Sequence, residues 1–138
     1  MAVETTLVLV KPDGMRRSLA GEVIARFERR GYELRGARLL KLPRSLAAEH
    51  YAEHKGKPFY AGLVSFITSG PVLALAVRGE NAIAGVRELM GATNPADAAP
   101  GTIRGDLATE LSENVVHGSD SRASARRELG LFFPDGLV

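Results

Sequence analysis

The segment Thr6–Val10, TLVLV, is a short, continuous run of β-branched and leucine residues. A strand points successive side chains to opposite faces, so a run apolar throughout suits a strand covered on both. Val72–Val77, VLALAV, has the same character and is expected at the centre of a sheet. These two segments require a layered fold, and the rest of the chain supplies the layers.

Lys11-Pro12-Asp13-Gly14 ends the first strand with turn chemistry. From Ala20 to Arg30, Val23, Ile24 and Phe27 form an apolar helical stripe, and Gly31 is positioned to end the helix in a left-handed conformation. Tyr32–Leu42 reads as a second strand whose leucines break strict alternation, which suggests a bulge. Ser45–Glu53 reads as a short helix with Ser45 as its N-cap, and Phe59–Thr68 as another, stopped by Ser69-Gly70-Pro71. Asn81–Met90 is a helix with Ile83, Val86 and Leu89/Met90 on one face. Gly91–Gly101 is rich in turn residues and long enough to suggest a functional or interface role. Asn114–His117 is read as the last strand and Ser121–Phe132 as the last helix, with Ala125, Leu129 and Phe132 inward. Reduced to its main elements the order is βαββαβ. This predicts an α+β, ferredoxin-like domain over residues 1–138, with an antiparallel four-stranded sheet and helices packed on one face.

Composition narrows the function classes. A chain of 138 residues fits one domain, and no apolar run approaches the roughly 18 residues of a membrane-spanning helix. The first residues, MAVETTLVLVKPDG, place an acid before the apolar run and lack the basic start of a secretory signal. There is no cysteine, which excludes disulfides, thiolate metal sites and cysteine nucleophiles, and fits a cytoplasmic location. The net charge is only +2, and Arg26, Arg29, Arg30, Arg35 and Arg38 are interspersed with Glu22, Glu28 and Glu33. That is the pattern of a solvated mixed-charge face, so specific nucleic-acid binding is not expected.

The most informative stretch is Asn114-Val115-Val116-His117-Gly118-Ser119-Asp120-Ser121. It sets a histidine at a strand end, before a glycine turn and a helix N-terminus, where unsatisfied amides favour an anion. A neutral imidazole carries a lone pair near pH 7 and can attack phosphorus without a base. Neither GxxxxGK[ST] nor GxGxxG occurs, so a phosphate handler here must use side-chain cations. Lys11, Arg87 and Arg104 lie at or near the ends of apolar segments. Strict alternation would put Asn114 and His117 on opposite faces, so both can meet one ligand only if this segment is irregular.

KPDG at 11–14, HY at 50–51, KPF at 57–59, SGP at 69–71, TNPADAAPGTIRGD at 93–106 and NVVHGSDS at 114–121 together resemble the nucleoside diphosphate kinase family. The resemblance runs from about Thr5 to Phe133, and GTIRGD followed by NVVHGSDS carries most of its specificity. It implies a reversible, ping-pong transfer of the γ-phosphoryl group of a nucleoside triphosphate, mainly ATP, to a nucleoside diphosphate through phosphohistidine at His117. It implies that Glu128 orients the His117 ring, Ser119 bonds Glu128, and Tyr51 lines the histidine. Arg87, Arg104 and Thr93 correspond to phosphate binders, Lys11 and Asn114 to contacts at the ribose and phosphate end, and His54 to a residue beside the phosphates. Phe59 corresponds to the aromatic on which the base stacks, with Leu63 and Leu111 completing an apolar slot and broad base specificity following. Core packing is an equal alternative for Leu63. The resemblance further implies Mg²⁺ held mainly by nucleotide phosphates, and self-association as a homohexamer, with a tetramer as the alternative.

Two other readings compete. His50-Tyr51-Ala52-Glu53-His54 fits the zinc-protease pattern H-x-x-E-H, with two histidines four residues apart on a helix, but no third ligand is in sight. The other alternative is a nucleotide-binding module that never turns over.

Overall fold

The computed structural model describes residues 2–138. Four strands, β1 (Val3–Val10), β2 (Glu33–Leu40), β3 (Val72–Glu80) and β4 (Val116–Gly118), form one antiparallel sheet in the order β2-β3-β1-β4. This is the expected ferredoxin-like arrangement, with the two apolar strands β1 and β3 in the middle. Seven helices accompany it: α1 (Pro12–Arg16), α2 (Ala20–Arg29), α3 (Arg44–His50), α4 (Tyr60–Ile67), α5 (Ala82–Met90), α6 (Ile103–Leu107) and α7 (Arg122–Phe132).

The helices cover both faces of the sheet, not one. Val8, Val10, Leu75 and Val77 pack with Val23 and Phe27 of α2, Val86 and Met90 of α5, and Ile103 of α6. Leu7, Leu9, Val72 and Ala74 pack on the other side with Ala47 of α3, Val64 and Ile67 of α4, and Phe132 of α7. The helices α2 and α5 of the βαββαβ frame make the first layer. The segment between β2 and β3, together with α7 after β4, makes the second. A strand apolar on both faces demands this, and four consecutive residues of β1, Leu7 to Val10, are fully buried.

Local chemistry explains most boundaries. The α2 helix ends in a Schellman arrangement: Gly31 has φ +96°, its amide reaches the Glu28 carbonyl (3.0 Å), and the Tyr32 amide reaches Phe27 (3.1 Å). The bulge in β2 is present, the register against β3 slipping between Leu34 and Gly36. Several boundaries differ from expectation. Pro43, not Ser45, precedes α3, and that helix stops at His50, with a separate 3-10 turn over Ala52–His54. The Lys11–Gly14 turn opens into α1, which begins at Pro12, where a missing amide costs nothing. Ile103–Leu107 forms the unanticipated α6, capped by Thr102, whose hydroxyl accepts from the Gly105 amide at 3.0 Å.

One polar side chain lies in the second apolar layer without a protein partner. His50 is 3% exposed, and neither ring nitrogen has a hydrogen-bonding group within reach among the described residues. Burial lowers its pKa to about 3, and His117 nearby acts in the same direction. Unfolding releases a histidine that takes up a proton near pH 6.5, whereas the folded one does so only near 3. Between those values the unfolded state binds more protons, so stability falls as pH drops. His50 alone contributes up to about 1.4 kcal/mol per pH unit in that window. Urea unfolding from pH 6.5 to 4 should therefore show a shallower loss of stability in His50→Phe than in the wild type. Parallel curves for the two proteins would contradict a buried neutral His50.

Candidate active site

The strand β4 has only three residues and is held to the sheet edge by β1, with His117 opposite Leu9. The bend before it is unusual. Val115 has φ +74°, and the Val116 amide donates to the Asn114 carbonyl at 2.8 Å, closing a three-residue γ-turn. Such a conformation at a β-branched residue costs on the order of 1–3 kcal/mol. Asn114 is thereby outside the strand, and alternation no longer separates it from His117. Both line a single cleft of about 190 Å³.

The His117 ring is fixed from behind. Its Nε2 lies 2.8 Å from Oε1 of Glu128, a residue of α7 that is 5% exposed. Ser119, fully buried, donates its hydroxyl to the same oxygen at 2.7 Å. Burial by itself pushes the Glu128 carboxyl up, but the hydrogen bonds from His117 and Ser119 outweigh it and hold it below the usual carboxylate range. An ionised carboxylate only accepts, so Nε2 carries the proton and Nδ1 keeps its lone pair. Glu128 is thus not a solvated helix glutamate: Arg122 pairs with Glu4 at 3.0 Å, and only Arg127 approaches Glu128, at 3.7 Å. Arg127 also donates to the carbonyls of Glu49 and His50, tying α7 to the end of α3. The cap of α7 is Ser121, which leaves Ser119 free for the carboxylate.

Three cations enter the cleft without a carboxylate partner. Lys11 Nζ donates to Oδ1 of Asn114 (2.7 Å), whose amide donates to the Thr93 carbonyl (2.9 Å). Arg104, 4% exposed, donates to the carbonyls of Val116 (2.7 Å), Gly91 (3.0 Å) and Asn114 (3.3 Å), and Arg87 donates to the Gly118 carbonyl (2.9 Å). None of the three forms an ion pair among the described residues. Burial, followed by the neighbouring Arg104, lowers Lys11 to about 8; burial, followed by Arg87, lowers Arg104 to about 10. Carbonyls orient these groups but do not neutralise them, which is the electrostatic signature of an anion site.

Lys11, Tyr51, His54, Arg87, Thr93, Arg104, Asn114, His117 and Glu128 all line the cleft. Tyr51 is nearly buried, and burial together with the Glu128 charge raises its hydroxyl to about 12. His54 sits between Tyr51 and Phe59, with ring centroids at 6.3 and 5.4 Å. Phe59, Leu63 and Leu111 are not among the lining residues. Phe59 and Leu111 are 51% and 58% exposed, while Leu63 packs half-buried against the second apolar layer, as its core reading required. Four lining residues had no place in the expected nucleotide site: Gly118 and Asp120, and His50 and Glu53, which figured only in the zinc-site reading. The His50 ring stands almost perpendicular to that of His117, at 4.8 Å and 82°. The pair His50 and His54 does not share a helix, since α3 ends at His50. The described residues do place ligand atoms of His50, His117 and Glu128 within 4.8 Å of one another. The Glu128 oxygen facing His117 is already occupied by two donors. A larger hollow of about 730 Å³ near Tyr32 and Gly85 contains none of the expected site residues.

The family model described as nucleoside diphosphate kinase matches residues 4–138. A nucleoside diphosphate kinase of Deinococcus radiodurans is 58% identical over 134 residues, covering 97% of each chain. One from Thermus thermophilus is 55% identical over 137 residues, covering 99% of this chain and 100% of that one. Among solved structures, a halophilic nucleoside diphosphate kinase from Halobacterium salinarum in complex with CDP superposes with a TM-score of 0.96 at 51% identity, covering 99% of this chain and 92% of that one. A nucleoside diphosphate kinase family protein from Babesia bovis gives 0.95 at 44%, covering 98% and 92%. With an oriented histidine beside three cations that form no ion pair, and agreement of this extent in sequence and fold, the chain belongs to the nucleoside diphosphate kinase family.

Proposed function

We propose that His117 is the residue that carries the phosphoryl group between nucleotides. The observation behind this reading is the Glu128–His117 hydrogen bond, which leaves the Nδ1 lone pair available in a cleft lined by three unpaired cations. In the first half-reaction Nδ1 attacks the γ-phosphorus of a nucleoside triphosphate in line. The Nδ1–P bond forms, the bond to the β–γ bridging oxygen breaks, and the nucleoside diphosphate leaves with that electron pair. In the second, a terminal phosphate oxygen of another diphosphate attacks the same phosphorus and the N–P bond breaks. The positive charge that develops on the ring is offset by Glu128 through Nε2–H, so no proton need leave the site.

Arg87, Arg104 and Lys11 would hold the phosphates, each charge-assisted hydrogen bond contributing about 1.5–3 kcal/mol. Asn114 and Thr93 would orient Lys11 and the phosphate end, with Tyr51 and His54 bounding the reacting group. The exposed Phe59 offers a stacking surface worth roughly 1–3 kcal/mol for any base, with Leu63 and Leu111 as its apolar surroundings. Stacking without edge-reading groups favours broad base specificity. Mg²⁺ would enter on the phosphates of the nucleotide, neutralising part of their charge. The three-residue cluster of two imidazoles and a carboxylate is a poor match for an ion that prefers oxygen ligands.

Self-association as a homohexamer, with a tetramer as the alternative, is supported by the position of β2 at a sheet edge, covered by the C-terminal residues at Arg35 and Gly36 but presenting Leu39 at 63% exposure. A cytoplasmic location is favoured by the absence of cysteine; among the described residues, no helix is long and apolar enough to cross a membrane.

Incubation with γ-labelled ATP should give an acid-labile, base-stable label on the wild type and none on His117→Ala. Equal labelling of the two would overturn the assignment, and an unlabelled wild type would leave a nucleotide-binding module without turnover. Because burial and Arg104 bring Lys11 to about 8, its phosphate-binding charged form is present below that pH and lost above it. The pH profile of kcat/KM should therefore fall above about 8. In Lys11→Arg, whose guanidinium stays charged, this limb should move upward, and an unchanged limb would remove Lys11 from phosphate binding. Sedimentation equilibrium should return six times the 14.7 kDa chain; four times would select the tetramer.

A further inference from the structure

The left-handed bend at Val115 is held from one short segment. The Val115 amide, deeply buried, donates to Oδ2 of Asp13 at 3.0 Å, and its carbonyl accepts from the Lys11 amide at 2.8 Å. Asp13 is 4% exposed and belongs to α1, about a hundred residues away in sequence. Gly14 permits the approach: a Cβ there would lie 3.1 Å from both the Val115 carbonyl oxygen and its Cγ1, and 2.9 Å from Val10. Both polar groups of the strained residue are thus gripped by Lys11 and the first turn of α1, directly after β1, the strand on which β4 is laid.

What the bend separates is the site itself. Asn114, immediately before it, anchors Lys11 and contacts Thr93; His117 follows two residues after. Arg104 takes the carbonyls of Asn114 and Val116, one on each side of Val115. A relaxed Val115 would return the segment to extended alternation, with Asn114 and His117 turned to opposite faces. We infer that Asp13 is a positioning residue that holds the γ-turn at Val115 and thereby sets the nucleophile and the phosphate-end contacts in one cleft. The hydrogen bond Asp13 makes is to the Val115 amide, so its contact is with the bend; its charge also supports Lys11, a contribution that Asp13→Asn removes while keeping the acceptor for the bend. The inference rests on His117 being the nucleophile, which the labelling experiment above tests separately.

The test combines Asp13→Ala, Asp13→Asn and the double variant Asp13→Ala with Val115→Gly. Single-turnover phosphoenzyme formation from ATP is measured per active site, alongside equilibrium binding of ADP and thermal unfolding. Displacing reacting groups by about 1 Å can slow a reaction on the order of 100-fold. Asp13→Ala is therefore expected to slow transfer by about 10- to 100-fold, well beyond any loss of ADP affinity. Asp13→Asn retains an acceptor oxygen and should stay within a few-fold of wild type. Glycine adopts positive φ without strain, so Val115→Gly should recover at least part of the rate lost in Asp13→Ala, even though it removes a buried side chain. A wild-type transfer rate per active site in Asp13→Ala, or no recovery on adding Val115→Gly, would refute the inference. If Asp13→Ala yields no folded protein, Asp13→Ser, which admits water to the Val115 amide, is read by the same two criteria.

Discussion

Everything at the site depends on keeping one carboxylate ionised inside the protein. Glu128 is almost wholly buried, and an unpaired charge in that position would take up a proton. Two donors prevent this, His117 and Ser119, converging on the same oxygen. The consequence is chemical as well as structural: the histidine tautomer is set, and with it the nitrogen that bears the lone pair. Such a bond has little tolerance for drift between β4 and α7. The fold limits drift by pairing β4 with β1 and by tying α7 to the last carbonyls of α3 through Arg127.

The cleft on the other side of the ring is electrostatically costly in itself. Lys11 and Arg104 are both taken from water, and each faces a neighbouring cation; their hydrogen bonds go to backbone carbonyls and an amide oxygen, while the Asp13 carboxylate offsets part of the cost at Lys11 without forming an ion pair with it. A carboxylate in direct contact would relieve this fully, but it would also compete with phosphate. Neutral acceptors aim the cations and leave their charge for the ligand. The cost is carried by two apolar layers packed on opposite faces of a sheet whose central strands are buried on both sides.

Much of the fold was legible because its signals are local. The double-faced apolar runs of β1 and β3, the stripe of α2 and the glycine that ends it can each be read within a dozen residues. The same reading of Thr6–Val10 should have ruled out helices on one face only, since both parities of the strand needed cover. The helix α6 escaped notice because it is short, contains Gly105 and follows a loop full of turn residues. Its start depends on a Thr102 hydroxyl reaching Gly105, a contact that no periodicity reveals. At the site, His117 stood out from its place before a glycine turn, whereas Glu128, Arg104 and Lys11 could be assigned only through the family's motifs. Their contacts with His117 or its neighbours span from 10 to 103 residues, a range over which no spacing rule operates. His50 and Asp13 were missed for the same reason. One lies in an H-x-x-E-H string that suggested metal, the other in a KPDG string that suggested only a turn.

The position of the strain is itself informative. A glycine at residue 115 would adopt φ +74° freely, yet the chain has valine there, fully buried in the first apolar layer. That choice trades local comfort for packing: the side chain fills the core beneath the cleft, and the backbone is held by external bonds. A glycine could relax in several directions, because it loses more conformational freedom on folding and accepts many φ values. Positive φ is disfavoured for valine, and the bonds from Asp13 and Lys11 hold it there. A strained bend held by hydrogen bonds on both its polar groups locates its neighbours more sharply than a flexible hinge of lower energy. The energy stored at Val115 is therefore best understood as the cost of holding His117 and Asn114 in register in a segment whose natural alternation would part them.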